Sequence, residues 1–93
     1  MVEIDDIGHK QDEILHDLSG YNMEWDKIYH AIDNEYHSAQ YRDEKIKIAE
    51  KLNELIKEQN TFLHQMIPEN PFSKKAKESF NTLEEELAQL YQE

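Results

Sequence analysis

From Asn22 to Ile67 the chain contains neither glycine nor proline. A β-sheet needs turn residues at short, regular intervals, so a run of this length without them reads as helix. The whole sequence has only two Gly and two Pro in 93 residues, which excludes an all-β domain. Apolar spacing agrees. One stripe reads Trp25, Ile28, Ile32, Tyr36, Ala39, Ile46, Ala49, Ile56, Leu63 and Ile67, and a second reads Tyr41, Ile48, Leu52, Leu55, Phe62 and Met66. Both follow three- and four-residue steps, and together they give the second half of the run a face wide enough for two neighbouring helices.

Two further helices flank this run. The first covers about residues 3–18, with Ile4, Ile7, Ile14 and Leu18 on one side and Glu3, Asp5 and Asp6 complementing the dipole of its first turn. Ser19 and Gly20 end it, with glycine expected in the left-handed C-cap conformation. Residues 67–72, with Pro68 and Pro71, form a loop, because each proline disfavours helix in the residue before it. Ser73 is then the N-cap of a helix over about 73–91, with Ala76, Phe80, Leu83, Leu87 and Leu90 or Tyr91 on one face. The expected fold is all-α and a single domain over 1–93. A long central helix of about 22–67 carries the shorter N- and C-terminal helices packed antiparallel on it, as a helical-hairpin, coiled-coil-like bundle. The polar patch Gln40, Arg42, Asp43 and Glu44 is its weakest stretch. An unbroken helix of about 45 residues would span roughly 67 Å, more than twice the roughly 30 Å diameter of a globule of this size. Such a layer of helices leaves apolar surface wet, so a homodimer or a permanent protein partner is expected.

Charge narrows the partners. With 21 acidic against 10 basic residues, a net charge of -11, the composition argues against binding nucleic acid or anionic lipid through a basic patch. No stretch of about 18 apolar residues is available to cross a membrane. The start Met1-Val2-Glu3-Ile4-Asp5-Asp6 is acidic, opposite to a secretory signal, so a cytoplasmic location is expected, with export by a leaderless route left open. The absence of Cys removes disulfides, thiolate zinc sites and cysteine nucleophiles. No Ser-His-Asp order, phosphate loop or H-E-x-x-H occurs, so no enzyme is expected.

Histidine is the one constellation with metal chemistry. His9, Asp12 and His16 recur as His30, Asp33 and His37, two copies of H-x-x-D-x-x-x-H that are 21 residues apart. Residues i, i+3 and i+7 share a helix face, and imidazole with carboxylate suits zinc or iron. Taking Ile4 and Ile7 as heptad positions a and d puts all four histidines at position f, opposite the seam. The expectation is therefore a solvated helical face, with no resident metal or cofactor. Lys74, Lys75 and Lys77 open the last helix and Glu84, Glu85 and Glu86 lie towards its end, both against the dipole. They read as pairs across the antiparallel fold, or as a basic corner that docks a partner.

The stretch Phe72-Ser73-Lys74-Lys75-Ala76-Lys77-Glu78-Ser79-Phe80 resembles the turn of the WXG-type helical hairpins linked to type VII secretion. Phe72 stands where those proteins have Trp, Ala76 and Phe80 match, and Lys74 departs from the family's Gly. Phe80-x-x-x-Glu84 resembles their aromatic-x-x-x-acid export element. The resemblance covers the last third of the chain, and it implies a helical partner of a secreted toxin or an exported dimer.

From the residues themselves, the expected function is a small acidic, non-catalytic helical interaction module that dimerises or clasps a partner through Trp25, Ile28, Ile32, Leu52, Leu55, Phe62 and Phe80. The alternative is an acidic inhibitor, antitoxin-like or DNA-mimicking, that binds a basic target.

Overall fold

In the computed structural model of the chain, Asn22 opens the second helix: its side chain accepts a hydrogen bond from the Glu24 backbone amide at 2.9 Å. That satisfies one of the amides a helix start leaves without a partner. The structure describes residues 3–69 and 71–92, apart from the side chains of Phe72, Ser73, Tyr91 and Gln92. Four helices result: α1 (Ile4–Ser19), α2 (Met23–Ser38), α3 (Arg42–Met66) and α4 (Pro71–Gln92). No strand occurs among the described residues.

The expected central helix is thus two helices. Ala39 and Tyr41 have extended backbone, with ψ of 134° and 145°, and Gln40 joins them. No glycine or proline forces this break. Between Tyr41 and Ile46 the chain offers no apolar side chain to the core, so continuing the helix would gain nothing there. Folding back instead buries Tyr29 and Tyr36. Tertiary burial outweighs local helix propensity. The elongated arrangement goes with it: the Cα trace measures 38 × 24 × 15 Å, with a radius of gyration of 13.0 Å. The 25 residues of α3, about 37 Å at 1.5 Å per residue, set the long dimension.

The other boundaries move little. Gly20 is right-handed, with φ -61° and ψ -18°, not left-handed as expected. The chain leaves α1 through two tight bonds, from the Tyr21 amide to the Leu18 carbonyl and from the Asn22 amide to the Ser19 carbonyl, both 3.2 Å. Ser19-Gly20 is therefore a turn between antiparallel helices. At the far end α4 starts at Pro71, so Ser73 lies inside the helix and not at its cap. Proline suits the first helical position, where its missing amide costs nothing.

Side-chain pairs give the topology. Asp5 on α1 meets Lys45 on α3 and Gln11 reaches Ala49 and Asn53, so these two helices run parallel. Tyr36 meets Asp5 and Tyr29 meets Asp12, while Lys10 meets Glu86 and Leu18 lies beside Lys75 and Ala76, so α2 and α4 run antiparallel to α1. Among the described residues, α2 and α4 do not touch. The bundle is up-down-up-down and flattened, with α1 and α3 across its short diagonal. Ile7, Leu15, Leu18, Leu52, Ile56, Leu63 and Leu83 are enclosed at its centre, with Ala76, Leu87 and Leu90 completing the α4 face.

The core also holds polar groups. The Gln11 amide donates from Nε2 to the Ala49 carbonyl at 2.8 Å and to Asn53 Oδ1 at 2.7 Å. Asn53 Nδ2 passes the chain on to Glu84 Oε1 at 3.2 Å. Three helices are tied by this relay, and its two inner members are fully buried.

Candidate functional site

The α1–α2 seam is built by two tyrosines. Tyr36 donates its hydroxyl to Asp5 Oδ1 at 2.7 Å, with the Ile4 carbonyl a longer second acceptor at 3.3 Å. Tyr29, two turns earlier on the same face, donates to Asp12 Oδ1 at 3.2 Å. Gly8 permits this approach, because a Cβ there would lie 3.1 Å from the Tyr36 hydroxyl oxygen. Burial first, and then neighbouring carboxylates, push both phenols well above their ordinary range, so they remain hydrogen-bond donors. Lys45 on α3 closes the seam with an ion pair to Asp5 at 3.3 Å. The Tyr36 hydroxyl and then Lys45 hold the Asp5 carboxyl below its usual range.

Antiparallel packing sets the two histidine repeats against each other. Asp12 comes beside Asp33, and one ligand atom from each of Asp12, Asp33 and His37 lies within 4.8 Å of the others. His37 Nε2 is 3.5 Å from Asp33 Oδ2. A cavity of about 240 Å³ opens beside them, lined by Asp5, Gly8, His9, Asp12, Tyr36, His37 and Lys45. His16 is exposed, and His30 pairs with Asp26 at 3.2 Å and stacks on Tyr29. All four histidines are solvent-exposed, as heptad position predicts, but Asp12 and Asp33 are half-buried at a helix–helix seam. The repeat is therefore split: its Asp12–Asp33–His37 end forms a cluster, and its His16–His30 end does not.

The cluster is costly to the fold. Burial, and then the facing Asp33 carboxyl, push the Asp12 carboxyl above the ordinary aspartate range. Asp12 thus binds its proton more tightly folded than unfolded. Its contribution to stability falls as pH rises from below the ordinary value through the raised one, and the penalty is carried above that range. Asp12→Asn, which keeps an acceptor for Tyr29, is expected to raise Tm at pH 7 by less than about 1 kcal/mol of stability, since the group is largely solvent-screened. The gain should vanish in acid below the ordinary aspartate value. Calorimetry at both pH values checks this, and a less stable variant at pH 7 would show that Asp12 is held favourably.

On its other side α2 meets α3 through aromatic rings. Trp25 and Phe62 pack edge to face with centroids 4.8 Å apart. Trp25 is half-buried, whereas Ile28 is 46%, Phe62 40% and Met66 66% exposed. Ile28 follows Trp25 by three residues and Met66 follows Phe62 by four, so each extends the same side of its helix. Of the other residues expected to bind a partner, Leu52 and Leu55 are enclosed in the core and Ile32 packs against it. Leu52 and Leu55 hold the bundle together and offer no surface, and Ile32 offers only part of its side chain. Phe80 is half-buried elsewhere, in a groove of about 520 Å³ between α3 and α4 that also contains Lys57, His64, Lys74 and Lys77. Among the described residues, none of Lys57, Lys74, Lys75 and Lys77 forms an ion pair, so of the expected pairing across the fold only the acidic end is made, by Glu86 with Lys10 at 2.7 Å. Met66 is an exposed residue of the second apolar stripe that is not among the expected partner-binding residues.

No family model matches the sequence, and no curated protein or solved structure matches the chain. Residues 72–80, which carry the resemblance to secretion-linked hairpins, lie within α4, and the Phe72 side chain is outside the described residues. No helix among the described residues is long and apolar enough to cross a membrane.

Proposed function

We propose that the protein is a non-catalytic interaction module whose α2–α3 seam receives a basic amphipathic segment of a protein partner. The observation that carries this reading is the accessible Trp25–Phe62 pair, continued by exposed Ile28 and Met66. Buried Trp and other large side chains at the centre of an interface supply most of the energy of association. The rim decides the partner's charge. Glu58 stands one turn before Phe62 and Glu24 adjoins Trp25, both exposed, whereas Glu35, two turns beyond Ile28, is paired with Lys51 at 3.5 Å. A second copy would bring another charge of -11 against this rim, whereas a cationic segment is steered towards it.

Trp25 is the only tryptophan, so its emission reports occupancy directly. A synthetic Leu/Lys amphipathic helix should shift that emission saturably, and a Leu/Glu helix should not. Phe62→Ala should weaken the complex by about tenfold with helicity unchanged. The apolar contact should survive from 50 to 300 mM salt (about a twofold change in screening length). Loss of the whole signal over that range would favour acidic mimicry of a polyanion. A dimer mass by light scattering, with Trp25 unresponsive to either peptide, would put a second copy in the seam and sink the proposal.

A further inference from the structure

We propose that Asp12, Asp33 and His37 bind one divalent cation of the zinc class at the α1–α2 seam, with His9 or water in the remaining position. The donor set points to this class. One imidazole with two carboxylates suits a borderline transition cation, whereas calcium and magnesium favour all-oxygen shells with more ligands. The spacing is close to what is required. Bonds of roughly 2.0–2.2 Å in a tetrahedron place neighbouring ligand atoms about 3.4 Å apart. His37 Nε2 and Asp33 Oδ2 already stand 3.5 Å apart. Asp12 needs only to close within the 4.8 Å that now bounds the set, and the exposed His37 ring is free to adjust.

Three observations independent of the donor list support a site and not a chance surface pair. Tyr29 donates to Asp12 Oδ1, the outer hydrogen bond that orients a ligating carboxylate and leaves its second oxygen for the ion. The adjoining cavity of about 240 Å³ gives an entry path and room for coordinated water, and His9 lines it one turn before Asp12. The lysine that lines this cavity is engaged elsewhere: Lys45 pairs with Asp5, while Asp33 faces Asp12 and is 3.5 Å from His37. The bland reading, a solvated Asp33–His37 pair at i and i+4, accounts for neither the half-buried Asp12 nor the tyrosine that holds it.

The test is calorimetric titration of untagged, chelator-treated protein with zinc chloride, and separately with magnesium chloride. One zinc per chain is expected, with no magnesium heat, and a rise in Tm as zinc holds α1 to α2. Asp33→Asn and His37→Gln should each lower zinc affinity by about tenfold or more, with the far-ultraviolet circular dichroism of the metal-free protein unchanged. The paired change His16→Ala/His30→Ala removes two exposed imidazoles, one more than His37→Gln, but leaves the cluster whole, so affinity should hold. Equal loss from that pair would reduce the binding to adventitious surface histidine and overturn the proposal, as would an absence of saturable zinc heat. Cobalt(II) gives a second readout: tetrahedral absorption bands that disappear in His37→Gln support the assignment, and six-coordinate spectra that survive it contradict it.

Discussion

Gln11→Leu is expected to cost the bundle about 2 kcal/mol, because it leaves Asn53 Oδ1 buried without its donor. Gln11 and Asn53 are both fully enclosed, and the 2.7 Å bond between them joins α1 to α3. The informative variant is the double one. Gln11→Leu/Asn53→Leu removes both partners together, and Glu84, which is exposed, returns to water. Replacing a buried polar pair by apolar residues is often neutral or stabilising, so urea unfolding should show most of the loss recovered. Conformational specificity is where the double variant should suffer. A parallel α1–α3 contact lined only by Leu and Ile tolerates a slip of one turn, whereas a Gln–Asn bond exists in one register. Broadened amide resonances in a double variant of normal stability would confirm that role. A double variant as unstable as the single would show that packing around Gln11, and not its hydrogen bonds, is what the site requires.

Ile56→Ala is expected to have the larger effect on stability. Ile56 is fully buried near the middle of α3, the helix that packs on all three others. Truncating such a side chain loses its transfer energy and leaves a cavity, about 3–4 kcal/mol together. A domain of this size has roughly 5–14 kcal/mol in total, and each kcal/mol moves Tm by about 4–8 °C. Thermal unfolding should therefore fall by more than about 12 °C. Ile28→Ala is the companion control: its side chain is 46% exposed, and its effect on Tm should stay within about 0.5 kcal/mol. Similar losses from both would mean that Ile28 is core and would remove it from the proposed seam.

How far these features can be read from the sequence differs by element. The bounds of α1 follow from Ile4, Ile7, Ile14 and Leu18, because a helix buried along one stripe shows that stripe as apolar spacing. Leu15 and Gln11 escape the reading: α1 touches three helices and so buries a wider arc than one stripe. The α2–α3 break is carried by Ala39, Gln40 and Tyr41, none of which is a helix breaker. Its only trace is the lack of an apolar residue before Ile46, a signal that acquires meaning once the competing burial of Tyr29 and Tyr36 is known. The meeting of Asp12 with Asp33 follows from the turn after Ser19, which sets α2 antiparallel to α1 and brings the two repeats together. The α2–α3 seam follows from the later break. The same event turns Leu52 and Leu55 inwards and leaves Phe62 and Met66 as the accessible part of their stripe.

α2 rests on α1 and α3 and does not reach α4, and its buried side chains are Tyr29 and Tyr36 alone. One edge of this helix carries Asp33 and His37, and the other carries Trp25 and Ile28. An opening that lifts α2 dismantles both places at once, so a ligand at either edge opposes that opening with its own binding energy. Two ligands held at opposite edges, never touching, would then share a single ordering cost. Each would tighten the other by the same factor, because thermodynamic coupling between two sites is reciprocal.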